Sequence, residues 1–170
     1  MHASKGARVV VRAATRKDAK DIVNLIVGLA EFERLRPPDA GAKDRLVRDI
    51  FNRGLANVFV AVINNELAGY ALYFYTYSSF LACRTLFLED IFVRKENRRD
   101  GVGKALFLRC VKEAKTRGCR RMQWEVLTWN TKAMRFYEKF GAKRLDDLAL
   151  FRLDEKTLQN LAKEQFDITE

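Results

Sequence analysis

The chain has 170 residues, of which 48% are hydrophobic and 32% are charged, as expected for an ordered domain with one sizeable core. Its formal net charge of +10 favours polyanionic partners, such as a phosphorylated cofactor, nucleic acid or an anionic membrane surface. The only histidine is His2, so histidine-based catalytic triads and histidine metal sites are excluded, and we expect no metal.

The first half of the chain predicts two helices and three strands. A capping box at Thr15 and Asp18 precedes an apolar helical stripe that continues to Ala30, and prolines and glycine predict a break around residues 37–41. The other predicted elements are a strand at 8–12, a helix at 43–52, and a hairpin of strands 58–63 and 67–75 that turns at Asn64 and Asn65.

The second half predicts strands that alternate with helices. After a loop at 78–84 come a strand at 86–93, a helix at 103–117 that stops at Gly118, a strand at 122–127, a helix at 130–140, a strand at 148–153 and a helix capped by Asp154. This order predicts an α/β (α+β) fold with a mixed, mostly antiparallel sheet and helices on both faces. We expect one domain over residues 1–170, with residues 1–7 as a loose N-terminus.

The cysteine pattern and the N-terminus suggest a cellular location. Cys83, Cys110 and Cys119 are odd in number and have no C-x-x-C spacing, so we expect reduced thiols and a cytoplasmic protein. The first 17 residues carry five basic side chains and no acidic one, a bias that resembles an organelle transit peptide and leaves targeting as an alternative. No apolar run approaches the roughly 20 residues of a membrane helix, so we expect no membrane partner.

The segment from Leu88 to Lys104 is the strongest chemical signal in the chain. An apolar strand ends in a basic turn that contains Gly101 and Gly103, and a helix pattern follows at once. Unpaired amides at a helix start attract anions, and glycines let a phosphate approach the main chain. The turn therefore predicts a phosphate site next to two carboxylates, Glu89 and Asp90; a solvated basic face is the alternative.

Two motifs together resemble a known family. The Arg98-x-x-Gly101-x-Gly103 turn is followed, about thirty residues later, by a helix that opens at Asn130 and reads F-Y-x-x-x-G-A from Phe136. This combination resembles the GNAT superfamily of acyl-CoA N-acyltransferases over nearly the whole chain. Within it, Leu88-Glu89-Asp90 and three aromatic segments are similar to the spermidine/spermine (diamine) N-acetyltransferase branch, which includes enzymes that act on thialysine. The aromatic segments are Tyr73–Tyr77, Trp129-Asn130 and Phe136-Tyr137.

The resemblance implies a GNAT-type fold, acetyl-CoA as co-substrate and direct transfer within a ternary complex. Glu89 would act as the general base and Tyr137 as the acid that protonates the CoA sulfur. The alternative for Glu89 is a solvated or ion-paired strand residue, and the alternative for Tyr137 is a residue that packs in the core. The residues implied in cofactor binding are Ile91, Phe92, Val93, Arg98, Arg99, Asp100, Gly101, Val102, Gly103, Lys104, Asn130, Thr131, Lys132, Ala133 and Tyr137.

The acceptor pocket implied by the resemblance is acidic, which favours a cationic amine. Its residues are Phe32, Glu33, Glu89, Asp90, Gln123, Trp124 and Glu125. The chain departs from that branch in three places. Ser78 replaces an acidic residue, Phe80 replaces a tryptophan, and the segment at Asp146 and Asp147 is shorter.

We therefore expect a homodimeric N-acetyltransferase of a polyamine, a diamine or a thialysine-like amine. One alternative is an enzyme that acetylates protein or peptide amines. Another is a non-catalytic module that binds CoA or, less in keeping with the sequence, nucleic acid.

Overall fold

The computed structural model describes residues 8–164, and the expected loose N-terminus at residues 1–7 lies outside this range. Contacts between residues divide the chain into two units, residues 1–125 and 126–170. This division into contact units does not test the expectation that the chain is one domain, which therefore stays a prediction. No helix of the described range is long and apolar enough to cross a bilayer.

The first unit contains a five-stranded sheet in the order β1-β2-β3-β4-β5. Strands β1 to β4 pair antiparallel and β5 pairs parallel to β4, which confirms the mixed, mostly antiparallel sheet. The elements are β1 (Val10–Ala13), α1 (Ala19–Glu33), α2 (Ala40–Arg48), β2 (Asn57–Ile63), β3 (Glu66–Ser78), β4 (Cys83–Val93), α3 (Val102–Thr116) and β5 (Met122–Gln123).

Helices α1 and α3 cover opposite faces of this sheet. Successive side chains of a strand point to opposite faces. In β2, Val58 and Val60 pack into a core with Ile22 and Leu25 of α1, whereas the ring of Phe59 lies 4.1 Å from the guanidinium carbon of Arg109 on α3. The prediction of helices on both faces is therefore confirmed.

Local signals locate several boundaries well. The capping box at Thr15 and Asp18 forms, and α1 follows directly. Asn64 and Asn65 both adopt positive φ, 50° and 67°, in the two-residue turn between β2 and β3, as tight hairpins prefer.

The predicted second helix at 43–52 is misplaced. The structure begins α2 at Ala40, since the Asp39 side chain accepts a hydrogen bond of 2.8 Å from the Ala42 amide. This N-cap outweighs Gly41, which therefore lies inside the helix and not in a break. After Arg48 the chain forms a π-helical turn, Asp49–Arg53.

The second unit contains α4 (Thr131–Glu138) and α5 (Glu155–Leu161). The predicted strand at 148–153 is wrong: these residues have no regular structure, and Leu150 and Phe151 are 69% and 89% exposed. The predicted strand at 122–127 is also too long, since only Met122 and Gln123 pair with β4. Alternating apolar residues form a strand only where a partner strand binds their backbone groups.

Candidate active site

A bulge in β4 sets the position of Glu89. Leu72 of β3 pairs with Asp90, but Tyr73 pairs with Leu88, so Glu89 is the extra residue between two registers. A bulge bends its strand and redirects a side chain, and bulges are enriched beside active sites. The Glu89 side chain is exposed, so its carboxylate is open to water and to a ligand.

Next to the bulge, Asp90 lies in an acidic environment. The Tyr70 hydroxyl donates a hydrogen bond of 3.0 Å to its Oδ2 atom. Burial raises the pKa of Asp90 to about 6; the bond from Tyr70 opposes this rise, and the negative charges of Glu89 and Glu33 add to it. Burial also raises the pKa of Glu33. The structure therefore brings two of the predicted acceptor residues, Glu33 and Glu89, within electrostatic range of a third, Asp90.

These three carboxylates have no cationic partner among the described side chains. Six ion pairs connect acids to arginines in residues 8–164, and none of them includes Glu33, Glu89 or Asp90. We refer to Glu33, Glu89 and Asp90 together as the acidic pocket; the cleft beside Arg98 that is described below is lined by other residues. Its uncompensated negative charge suits a positively charged ligand.

The basic turn after β4 leads into α3 with unusual backbone geometry. Arg99 and Gly101 have φ angles of 87° and 78°, both in the left-handed region. Gly101 is the N-cap of α3 and has no side chain to accept from the first amides of the helix. The first turn contains Lys104 and no acidic residue. An uncapped helix start with a cation nearby is suited to an anion.

Gly103 gives a second indication of a ligand at this turn. A Cβ atom added to it would lie 3.7 Å from Val93 Cγ2, which is an ordinary contact, so packing does not demand glycine there. Glycine inside a helix costs roughly 1 kcal/mol relative to alanine. A phosphate that needs the space above the main chain would account for this cost.

Arg98 is exposed, but its guanidinium contacts the main chain and two aromatic rings. Its Nε donates a hydrogen bond of 3.0 Å to the Val93 carbonyl, and its guanidinium carbon lies 4.8 Å from the centre of the Phe32 ring and 5.7 Å from that of Phe92. The structure thus brings a predicted acceptor residue, Phe32, together with two predicted cofactor residues. Arg98 contributes a packed cation at the end of β4.

A cleft of about 460 Å³ lies beside this cation–aromatic contact. Its walls include Gly28 and Phe32 of α1 together with Phe92, Arg94 and Arg98. The buried Nε of Arg94 has no hydrogen-bond partner within the described residues. A buried donor without an acceptor costs about 1–3 kcal/mol.

The remaining acceptor candidates lie around β5. Gln123 pairs with Phe87 in the sheet, and the Trp124 ring packs edge to face on Phe107 of α3, with 5.5 Å between centroids. Glu125 is exposed.

The second unit holds the other predicted cofactor residues. The Asn130 side chain caps α4 by accepting a hydrogen bond of 3.2 Å from the Ala133 amide, and Thr131 and Lys132 form the exposed first turn. Tyr137 is buried, and its ring packs edge to face on Phe136 with 5.0 Å between centroids.

Tyr70 is a residue of this site that our sequence analysis missed. It lies inside an apolar strand and reads as a core residue. The available signal was its position in the strand: Tyr70 and Leu72 are two residues apart and so lie on one face of β3, as Asp90 and Phe92 lie on one face of β4. The alignment of the two strands was needed to show that these residues share a face.

The arrangement combines three chemical capabilities. An exposed carboxylate at a strand bulge can accept a proton, the acidic pocket can hold a cation, and the uncapped start of α3 can bind phosphate. Together they suit the transfer of a group from a phosphorylated carrier to an amine.

Comparisons with known proteins agree with this geometry. The profile of the Acetyltransferase (GNAT) family matches residues 26–142. The thialysine N-epsilon-acetyltransferase of Caenorhabditis elegans is 30% identical over 153 residues, which cover 88% of this chain and 94% of that protein. The enzyme of the same name from Bos taurus is 31% identical over 168 residues, which cover 92% and 98%.

Among solved structures, an integron cassette protein from the mobile metagenome of V. cholerae superposes with a TM-score of 0.79. The match covers 94% of this chain and 100% of that one, at 22% sequence identity. At this identity the similarity shows a common fold.

Proposed function

Because the chain belongs to the GNAT family and is an acetyltransferase, we propose that it transfers an acetyl group from acetyl-CoA to a primary amine of a small cationic acceptor. The proposed acceptors are polyamines, diamines and thialysine-like amines. The relatives named as thialysine N-epsilon-acetyltransferases support this class.

The observation that carries the proposal is the acidic pocket. A chain with 32 lysines and arginines leaves Glu33, Glu89 and Asp90 without an ion pair among the described residues. Like charges held close together destabilise one another unless a cation joins them. A cationic acceptor supplies that charge.

Glu89 is proposed as the general base. An ammonium group must lose a proton before its nitrogen can attack a thioester, and a carboxylate accepts that proton directly or through a water molecule. The bulge gives Glu89 the required exposure. Asp90 is less suited to this role, since one of its oxygens already accepts from Tyr70.

For the co-substrate, we propose that the amides of Arg99 to Lys104 hold the diphosphate and that the backbone of Ile91 to Val93 holds the pantetheine arm. We also propose that Asn130 to Ala133 bind the cofactor. Acetyl-CoA supplies the activated acetyl thioester. In this proposal an amide of β4 would polarise the thioester carbonyl oxygen, and Tyr137 would give a proton to the departing sulfur.

The test is an initial-rate screen that measures the release of free CoA. The acceptors are spermidine, spermine, putrescine, thialysine and lysine-containing peptides, each over a concentration series. We expect at least one small amine to exceed every peptide in kcat/KM. Faster turnover of peptides would favour a protein acetyltransferase. Binding of acetyl-CoA without turnover of any amine, with DNA affinity that falls steeply with salt, would favour a binding module.

We further propose a homodimer in the cytoplasm. Leu148, Leu150 and Phe151 of the second unit are 66%, 69% and 89% exposed, and a second copy of the chain would cover such apolar side chains. Mass measurement by light scattering tests the dimer, and a monomer at micromolar concentration would contradict it. The three cysteines are free thiols, as suits a reducing compartment, and cell fractionation tests the location.

A further inference from the structure

The pairing of β3 with β4 places Tyr70 and Asp90 on the same face of the sheet. Tyr70 pairs with Phe92, and Leu72 pairs with Asp90, so Tyr70 and Asp90 are diagonal neighbours. Diagonal neighbours lie within reach of an aromatic side chain. The hydroxyl of Tyr70 spans this diagonal and donates to Oδ2 of Asp90 at 3.0 Å.

The surroundings of Tyr70 hold its hydroxyl in place. The residue is 0% exposed and packs in the core with Ile22 and Leu25 of α1. A buried tyrosine hydroxyl needs an acceptor, and here that acceptor is the carboxylate of Asp90. The ring is confined by packing on α1, so the hydrogen bond also fixes the orientation of the Asp90 carboxylate.

The titratable groups around Asp90 come from three elements. Glu33 of α1 and Glu89 of β4 disfavour its negative charge, and Tyr70 of β3 favours it. Burial acts with the two acids and raises the pKa of Asp90 to about 6. Among the described groups, Tyr70 is therefore the one that opposes protonation of Asp90.

We propose that Tyr70 is a positioning residue that keeps Asp90 ionised and aligned to bind the cationic nitrogen of the acceptor. This inference rests on the proposed function, because it assigns a role within the same acidic pocket. Tyr70 is fully buried, so it acts on the acceptor through its hydrogen bond to Asp90 and not by direct contact. Through it, the affinity for the acceptor depends on a phenol in the core.

The consequence is a specific pH dependence. As pH falls through about 6, Asp90 gains a proton and the pocket loses negative charge, so the KM for a cationic acceptor rises. Removal of the Tyr70 hydroxyl removes the influence that lowers the pKa of Asp90. The acidic limb of 1/KM then moves to higher pH, while kcat at high pH stays close to that of the wild type.

The experiment compares Tyr70→Phe with Tyr73→Phe. Tyr73 is a matched control, since it is also buried in β3, but its ring stacks on Phe59, which faces α3. Initial rates are measured from pH 5 to 8 with thialysine, or with the fastest amine of the screen if thialysine is not acetylated. We expect Tyr70→Phe to raise KM about threefold at pH 6 and less than twofold at pH 8, since one hydrogen bond is worth about 1 kcal/mol.

Equal effects at every pH, or the same effect in Tyr73→Phe, would overturn the inference, since they would indicate only a loss of packing. A second measurement does not depend on turnover. Calorimetry at pH 6 in two buffers of different ionisation enthalpy should show proton release when the acceptor binds, with more release in Tyr70→Phe and less in Asp90→Asn. If Tyr70→Phe does not fold, absence of proton release in the wild type overturns the inference.

The two proposals fail in different ways. If the wild type acetylates no amine, the proposed function is wrong. If it acetylates amines and its acidic limb does not move in Tyr70→Phe, only the role of Tyr70 is wrong.

Discussion

The carboxylates on the two faces of the sheet differ in their hydrogen-bond partners and in the direction of their pKa shifts. On the α3 face, Glu113 accepts hydrogen bonds from Arg109 at 3.1 Å and from Arg117 at 2.9 Å. On the α1 face, Asp90 has a neutral donor, Tyr70, and two acidic neighbours. Burial alone would raise the pKa of Glu113, but the two arginines lower it. The pKa of Asp90 is instead raised by burial, because a phenol cannot replace a cation.

Under the proposed function, this difference separates the structural carboxylate of Glu113 from the carboxylates of the acceptor site. The chain carries an excess of ten positive charges, so arginines are abundant, and the α3 face uses two of them on one carboxylate. The absence of an ion pair to the acidic pocket, as far as residues 8–164 show, leaves room for a cation from outside. A strongly basic protein can thus bind a cationic acceptor through local charge.

The largest expected effect that tests this contrast is that of Glu89→Gln. If Glu89 is the general base, loss of its carboxylate lowers kcat about 100-fold to 1000-fold. The affinity for acetyl-CoA should change little. Steady-state rates and equilibrium binding of the cofactor measure the two quantities. The matched control is Glu66→Gln, an exposed carboxylate at the start of β3, which should retain full activity. A Glu89→Gln enzyme within threefold of wild-type kcat would remove Glu89 from the mechanism.

Asp18→Ala should have the next largest effect, and on stability alone. Asp18 is buried and accepts from Arg12 at 2.7 and 2.8 Å and from the Thr15 amide at 2.7 Å. Its loss removes these hydrogen bonds and lowers the free energy of unfolding by about 2 kcal/mol, since the Arg12 side chain that remains is 42% exposed and stays solvated. Urea denaturation measures the loss, with Asp21→Ala at an exposed position of α1 as control.

The same site has a defined pH dependence. The Arg12 guanidinium lowers the pKa of Asp18 far below its ordinary value. A lowered pKa contributes stability that is present above pH 4 and is lost as pH falls. The wild type should therefore lose more stability between pH 5 and pH 3 than Asp18→Ala does. Equal losses in the two proteins would show that Asp18 does not contribute to acid unfolding.

Asp90→Asn should raise the KM for a cationic acceptor about tenfold at pH 7.5 and should not destabilise the fold. A half-buried charge pair of this kind is worth roughly 1.5 kcal/mol. Since the pKa of Asp90 is raised to about 6, its contribution to stability is greatest below pH 4 and is lost as pH rises through 6. Denaturation at pH 7.5 should thus find the variant at least as stable as the wild type. A large destabilisation would make Asp90 a structural acid like Glu113.

The smallest effect is expected for Glu113→Gln. Arg117 is more than half exposed, and solvent weakens that ion pair. We expect a loss of about 1 kcal/mol in unfolding free energy, measured in urea, and acetyl transfer rates within twofold of wild type. A loss of acceptor affinity in this variant would mean that the α3 face also contributes to the acceptor site.

Much of the fold could be predicted because its signals are local. The capping box at Thr15, the turn at Asn64 and Asn65 and the glycine turn before α3 each depend on residues within a few positions of one another. The family resemblance, too, rests on two short motifs with a fixed order. Such patterns indicate element type and order without knowledge of the tertiary contacts.

The rest depended on which strands meet and in which register. The sequence by itself determined a basic, glycine-bearing turn after an acidic strand end, and with it the acetyltransferase family. Only the tertiary structure decided that the apolar residues at 148–153 form no strand, that Glu89 is a bulge residue, and that Tyr70 bonds to Asp90. The physical reason is that strand pairing joins residues far apart in the chain, and a register shift of one position turns every side chain to the other face.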